Sequence, residues 1–195
     1  AAMVDGSATL MAMFYGQAAR GLMNDERGTN LLDSGAHFYD VYETKDHKHV
    51  SIGSIERKFY KLLLKLGGME DEASLAPSQQ FSEWEAKKAL VAKVFRTKTQ
   101  AEWCQIMEGS DVCFAPVLSM WEAPDHPHAI ARNSFVTIND TVQPAPAPRF
   151  SRTPSSTPTV SPELGENTNE VLLSLGYTPA QIQQMDANGC VGLAK

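Results

Sequence analysis

Residues 28–56 read GTNLLDSGAHFYDVYETKDHKHVSIGSIE, and this stretch decides the fold of the chain around it. β-Branched and aromatic residues over 38–43 favour an extended strand. The polar residues 44–47 favour a turn, and 49–53 return as a second apolar run. The order of strand, turn and strand predicts a β-hairpin.

The end of the predicted hairpin runs directly into a helix. Gly53 ends the second strand, Ser54 is a candidate N-cap, and an amphipathic helix is predicted over 55–66. This places Glu56 in the first helical turn, where the helix dipole stabilises a carboxylate. Taken alone, Glu56 is read as a surface residue that complements the dipole, because acidic residues are common in first turns.

The rest of the chain mixes helical and extended patterns. We predict an α+β fold, with a small antiparallel sheet that contains the hairpin and the strands near 112 and 135, and with helices packed against it. Thr99 and the pair Thr178-Pro179 mark two helix starts. The further predicted elements are helices over 1–23, 82–97, 100–107, 119–123, 166–175 and 179–185, and strands over 111–118 and 135–138.

The composition of the chain argues against some classes of binding partner. The chain has 195 residues, 43% of them apolar, which is enough to bury a sizeable core. Its formal net charge of −6 argues against binding to nucleic acid or to anionic membranes, because both need clustered Lys and Arg. No apolar run approaches the roughly 18 residues of a membrane span. Three cysteines in no Cys-x-x-Cys spacing indicate reduced thiols, and we expect a cytoplasmic location.

Several side chains suggest metal or nucleophilic chemistry without completing a site. No metal is expected at the histidines, because no cysteine or paired carboxylate completes a ligand set, and we interpret them as solvated or turn residues. Cys104 and Cys113 fall in helical and apolar patterns and are interpreted as buried thiols. Asp33 is interpreted as the cap of a turn. The histidines are His37, His47, His49, His126 and His128.

The opening stretch also carries a family resemblance. Its pattern Gly-x-Asn-Leu-Leu-Asp-x-Gly-Ala-x-Phe-Tyr, then Tyr-x-Thr-x-Asp, then a strand into Gly-x-Ile-Glu, resembles the α-methylacyl-CoA racemases of the family III CoA-transferase (CaiB/BaiF-like) group. The resemblance covers nearly the whole chain and starts near the midpoint of the family sequence. It continues through residues 102–106, 111–113, 115–118, 126–128, 146–151 and 165–168.

The resemblance implies a two-base reaction in which this chain supplies one group. In these racemases a His and an Asp remove and return the proton next to a CoA thioester, and the motifs of both bases precede the part matched here. Glu56 matches the third catalytic group, which partners the His. Tyr39 matches a tyrosine of the acyl pocket, and Leu32 and Ile55 match its apolar walls. These three are the expected substrate-binding residues.

The resemblance also implies an organisation for the chain. Residues 1–36 are expected to be a helix and linker from a large domain, 37–143 a small α+β domain, and 144–195 a proline-rich linker with a returning pair of helices. The family forms an interlocked homodimer with active sites shared between subunits. No cofactor is implied, since the CoA thioester is the substrate.

Three functions follow as hypotheses. The first is the C-terminal half of an α-methylacyl-CoA racemase, an isomerase that works through an enolate and whose isolated half is expected to be inactive. The second is a CoA-transferase of the same group, in which an upstream Asp carries the acyl group covalently. The third is a non-catalytic dimerisation or binding module. The Gly-x-Ile-Glu motif and the absence of a glycine-rich run after Asn30 favour the racemase over the transferase.

Overall fold

The computed structural model describes residues 1–72, 75 and 81–193. The chain divides into two compact units, Ala1–Ser119 and Met120–Lys195. Each unit combines helices with a small antiparallel sheet, which confirms the predicted α+β class. The predicted division at residues 36 and 143 concerns the relation to a large domain, and it stays a prediction.

The predicted hairpin forms the centre of the first unit. β1 (Tyr39–Glu43) pairs antiparallel with β2 (His49–Gly53), with Val41 opposite Ser51. β3 (Phe114–Val117) pairs antiparallel with the other side of β2, so that the strand order is β1-β2-β3. Pro116 therefore lies in an edge strand, where a residue without an N–H is tolerated.

Three helices pack with the buried face of this sheet, which carries Tyr42, Val50 and Ile52. The Phe95 ring stacks on Tyr42 with centroids 5.3 Å apart, and it meets the Trp103 ring edge-on at 5.1 Å. The Trp103 Nε1–H donates to the Phe95 carbonyl at 2.8 Å, so this buried indole is also hydrogen-bonded. The helices are α3 (Arg57–Leu66), α4 (Trp84–Phe95) and α5 (Gln100–Met107).

Two of the predicted helix caps are confirmed. The Thr99 hydroxyl accepts the Glu102 N–H, and the Glu102 carboxylate accepts the Thr99 N–H at 2.7 Å. In the second unit Thr178 and Gln181 form the same reciprocal pair before α8 (Pro179–Ala187), which begins with its proline. Such capping boxes satisfy amide groups that a helix leaves without partners, and they are local enough to be predicted from spacing.

The first predicted helix is broken into two short ones. Instead of one helix over 1–23, α1 (Met3–Leu10) and α2 (Ala12–Ala18) are separated at Met11. Neither helix buries a residue, and short helices without tertiary packing are only marginally stable. Among the residues the structure describes, no helix has both the length and the apolar character needed to cross a membrane.

The strand near residue 135 does not join the hairpin sheet, so this part of the predicted sheet is wrong. β4 (Phe135–Ile138) pairs instead with β5 (Thr141–Pro144) in a two-stranded sheet of the second unit. Asn139 and Asp140 connect them with φ of 47° and 58°. A two-residue hairpin turn needs two left-handed residues, which Asn and Asp tolerate well, so a local partner replaces the distant one.

The remainder of the second unit contains short helices and irregular chain. The helix predicted over 119–123 is wrong, because the structure has a 3-10 turn at Ala123–Asp125 followed by α6 (Pro127–Ala131). α7 (Thr168–Ser174) and α8 form the predicted helix pair. Residues 145–163 contain neither helix nor strand, in agreement with their proline-rich composition.

Candidate functional site

Residues 53–56 form a tight turn that hydrogen bonds hold from two sides. The Gly53 N–H donates to the Cys113 carbonyl and the Ser54 N–H to the Phe38 carbonyl, both at 2.9 Å. The Ser54 hydroxyl is buried and donates to the Val112 carbonyl at 2.6 Å. The turn is therefore attached both to the chain before β1 and to the chain before β3.

Ser54 is not the helix cap, so that prediction is wrong. α3 begins at Arg57, and its N-cap is Glu56, whose extended backbone has φ −75° and ψ 142°. Ser54 lies two residues too early, and its hydroxyl is directed at the Val112 carbonyl instead of a helix amide. Glu56 accordingly stands immediately before the helix and not in its first turn.

The Glu56 side chain is exposed and makes no capping hydrogen bond. Within the described residues its carboxylate has no hydrogen-bond partner, so its oxygens are free to accept hydrogen bonds from another group. The pKa of the Cys113 thiol is raised, first by burial and then by the carboxylates of Glu56 and Asp111.

Tyr39 lies beside the same turn. A Cβ built on Gly53 would lie 3.6 Å from Tyr39 Cε2 and 3.9 Å from Cys113 Cβ, so both side chains flank this glycine. They line a groove of about 360 Å³ that Asp40 and Phe114 also border. Asp40 is paired with Lys88 at 2.6 Å. Tyr39 and Cys113 therefore flank the turn that carries Glu56.

Ile55 lies at a different cavity from the groove of Tyr39. Ile55 lines a different cavity, of about 520 Å³, together with Phe38 and Trp84. Leu32 is 36% exposed. Tyr39 and Ile55 thus line two different cavities. The substrate-binding roles of Tyr39, Leu32 and Ile55, like the catalytic role of Glu56, stay predictions.

The sequence profile of CoA-transferase family III matches residues 1–168. The chain belongs to CoA-transferase family III. Alpha-methylacyl-CoA racemase of Mus musculus is 42% identical over 193 residues, which are 97% of this chain and 50% of the mouse protein. The Homo sapiens protein of the same name is 39% identical over 190 residues, 95% of this chain and 49% of the human one. This family III chain spans about half the length of the curated relatives it matches.

A solved structure supports the fold. The crystal structure of Rv3272 from M. tuberculosis superimposes on this family III chain with a TM-score of 0.61, covering 87% of this chain and 46% of that one. The two sequences are 15% identical. At this identity the similarity shows that the fold is shared, and it carries no argument about the reaction.

Asp33 has the structural role predicted for it in this family III chain. Its carboxylate accepts hydrogen bonds from the Gly28 N–H at 3.1 Å and from the Asn30 N–H at 2.6 Å. Burial acts to raise the pKa of Asp33, but these hydrogen bonds and that from the Asn30 amide outweigh it and lower the pKa. The carboxylate is occupied in closing its own loop.

One of the five histidines is misassigned by the sequence. His37 is fully buried and not solvated, with its Nε2 2.9 Å from the Tyr60 hydroxyl. His47 and His49 are exposed, and His126 caps α6 by accepting the His128 N–H. No group of three or more His, Cys, Asp or Glu suited to a metal ion occurs in the described part of the chain.

The cysteines are more exposed than predicted. Cys113 is exposed and Cys104 is half-buried, so the prediction of buried thiols is wrong for Cys113. Burial, assisted by Glu108, raises the pKa of Cys104 to about 11. Raised pKa values at both positions disfavour the thiolate, which agrees with the prediction that neither is a nucleophile. Sequence reasoning missed the contact of Ser54 with Val112, because 58 residues separate the two and no local pattern marks the pair.

Proposed function

We propose that this chain is the C-terminal half of an α-methylacyl-CoA racemase, which inverts the carbon next to a CoA thioester by removing its proton and returning it on the other face. Membership of CoA-transferase family III and 39–42% identity to two racemases support the proposal. The His and Asp bases would come from the other half, and the reaction would pass through an enolate. The isolated chain would then be inactive.

Glu56 would be the group through which this half takes part in catalysis. The observation that carries the proposal is an exposed carboxylate just before α3, borne on a hydrogen-bonded backbone and without a hydrogen-bond partner of its own in the described residues. A carboxylate so placed is suited to orient an imidazole and to stabilise its protonated form. The partner imidazole would be the His of the N-terminal half.

Tyr39, Leu32 and Ile55 would form walls for the acyl group. Tyr39 offers a ring and a hydroxyl beside the turn that carries Glu56. Ile55 offers apolar surface at the larger cavity, where Phe38 and Trp84 add aromatic rings. An apolar wall with few polar groups suits a branched acyl chain. No cofactor is required for such a proton transfer.

The full-length protein would act as an interlocked homodimer, in which this half completes a site shared with the N-terminal half of a partner subunit. Support comes from side chains that the described residues leave uncovered. Met3, Leu10 and Tyr15 on the first two helices are 89%, 81% and 71% exposed. Reduced, unpaired cysteines are compatible with the expected cytoplasmic location.

The test is exchange of the α-proton of a 2-methylacyl-CoA with deuterated water, catalysed by the full-length protein. Glu56→Gln should slow exchange by roughly two orders of magnitude or more, because the partner His loses the charge that supports its basicity. Glu85→Gln is the matched control, since Glu85 is an exposed acidic residue at the start of α4. Equal exchange rates for Glu56→Gln and the wild type would refute the assigned role.

The transferase alternative is tested with the same protein and a free carboxylic acid. A CoA-transferase would move CoA from the thioester to that acid through a covalent acyl-enzyme, whereas a racemase would exchange the α-proton without any acceptor. Exchange in the absence of an acceptor supports the racemase. Exchange that is absent under all conditions, with CoA transfer present, supports the transferase.

A further inference from the structure

Ser54 makes an unusual contact for a residue next to a helix start. Its side chain is fully buried, and its hydroxyl donates to the Val112 carbonyl at 2.6 Å across 58 residues of sequence. Cys113, which follows Val112, has a left-handed backbone with φ of 59°, and its carbonyl accepts the Gly53 N–H at 2.9 Å. Two successive carbonyls before β3 thus hold two successive residues of the turn.

This attachment fixes the backbone of Glu56 while leaving its side chain free. Only Ile55 separates Ser54 from Glu56, and the Ile55 N–H is itself bound to the Gly53 carbonyl at 2.9 Å. On the other side, the Glu56 carbonyl accepts the Tyr60 N–H at 2.9 Å, the first hydrogen bond of α3. The location of the Glu56 Cα is therefore set by the helix on one side and by the Ser54 contact on the other.

We infer that Ser54 is a positioning residue for Glu56, because it fixes the backbone from which the Glu56 carboxylate reaches its partner imidazole. The inference rests on the proposed function of Glu56. A hydrogen bond between fixed groups tolerates little displacement, and errors of about 1 Å at a catalytic group reduce rates by roughly 100-fold. Loss of the Ser54 hydroxyl would release the turn from Val112 and allow such a displacement.

The experiment uses Ser54→Ala in the full-length protein. We expect kcat for α-proton exchange to fall roughly 10- to 100-fold while KM changes by less than about twofold, because Ser54 lies under the turn and does not contact substrate. Ser54→Cys keeps the side-chain size with a weaker donor and should also lower kcat. Ser110→Ala is the control, since the Ser110 hydroxyl likewise donates to a backbone carbonyl, that of Met107 at 2.7 Å, and kcat should not change.

A double-mutant cycle separates positioning from loss of stability. If Ser54 acts through Glu56, Ser54→Ala should cause little further loss in the Glu56→Gln background, since the group being positioned is already disabled. An equal fold-loss in both backgrounds, or an unchanged kcat in Ser54→Ala, would overturn the inference. Full exchange activity in Glu56→Gln alone would overturn the proposed function of Glu56 instead, so the two failures are distinguishable.

Discussion

His37 is predicted to make the stability of this chain sensitive to mild acid. The Tyr60 hydroxyl donates to the Leu75 carbonyl at 2.9 Å, so it accepts its hydrogen bond from His37 Nε2–H. His37 Nδ1 then carries the lone pair, and it has no hydrogen-bond partner among the described residues. Burial first, and then the Lys87 ammonium, lower the pKa of His37 to about 4, against a smaller opposite effect of Glu83.

The sign and size of the effect follow from proton linkage. The folded state holds His37 neutral, whereas the unfolded state binds a proton below its ordinary pKa of 6.5. The free energy of unfolding therefore has its full value above pH 6.5 and falls as the pH drops from 6.5 towards 4, because only the unfolded state then gains a proton on His37. A pKa lowered from 6.5 to about 4 corresponds to ~3 kcal/mol in total. Between pH 7 and pH 5 the loss is ~2 kcal/mol.

Urea unfolding followed by tryptophan fluorescence at pH 7, 6 and 5 measures this loss. His37→Gln keeps an N–H donor for Tyr60 but cannot be protonated, so its free energy of unfolding should fall ~2 kcal/mol less than that of the wild type over this range. His49→Gln, at an exposed position, is the control and should follow the wild type. Parallel losses in the wild type and in His37→Gln would refute the assignment of His37 as a buried neutral base.

Two further predictions concern a helix cap and a tight loop. Thr99→Ala removes the capping box of α5 and should lower the free energy of unfolding by about 1 kcal/mol, measured by urea titration, whereas an unchanged midpoint would contradict the cap. Gly35→Ala would place a Cβ 2.4 Å from the Thr29 carbonyl carbon and 2.5 Å from the Asn30 carbonyl oxygen, so the loop must shift. It should cost about 1–3 kcal/mol in the same titration, and a variant as stable as the wild type would show that the loop yields freely.

The sequence predicts much of the candidate site, but it does not reveal the long-range hydrogen bond that holds the turn before α3. The order of hairpin, turn and helix predicts the helix start to within two residues, and the structure places Glu56 at the N-cap instead of in the first turn. The resemblance selected Tyr39, which does lie beside that turn. The role of Ser54 was misread because a serine before a helix is most often a cap, and its actual partner, Val112, is remote in sequence.

Local physical rules account for what the sequence by itself determined. The alternation of side chains in 38–53 is a local pattern. Asn139 and Asp140 tolerate the left-handed backbone that a two-residue hairpin turn needs, and the capping boxes at Thr99 and Thr178 also act over a few residues. Family membership was also readable, because the Gly-x-Ile-Glu motif and its flanking residues are contiguous.

Only the tertiary structure decided which distant groups meet. It placed β3 beside β2 and buried His37 against Tyr60. These outcomes depend on packing between segments tens of residues apart, where the free energy of burial outweighs local preference, and no short sequence pattern encodes them. For the same reason the Val112 carbonyl, and not a helix amide, receives the Ser54 hydroxyl and sets where Glu56 stands.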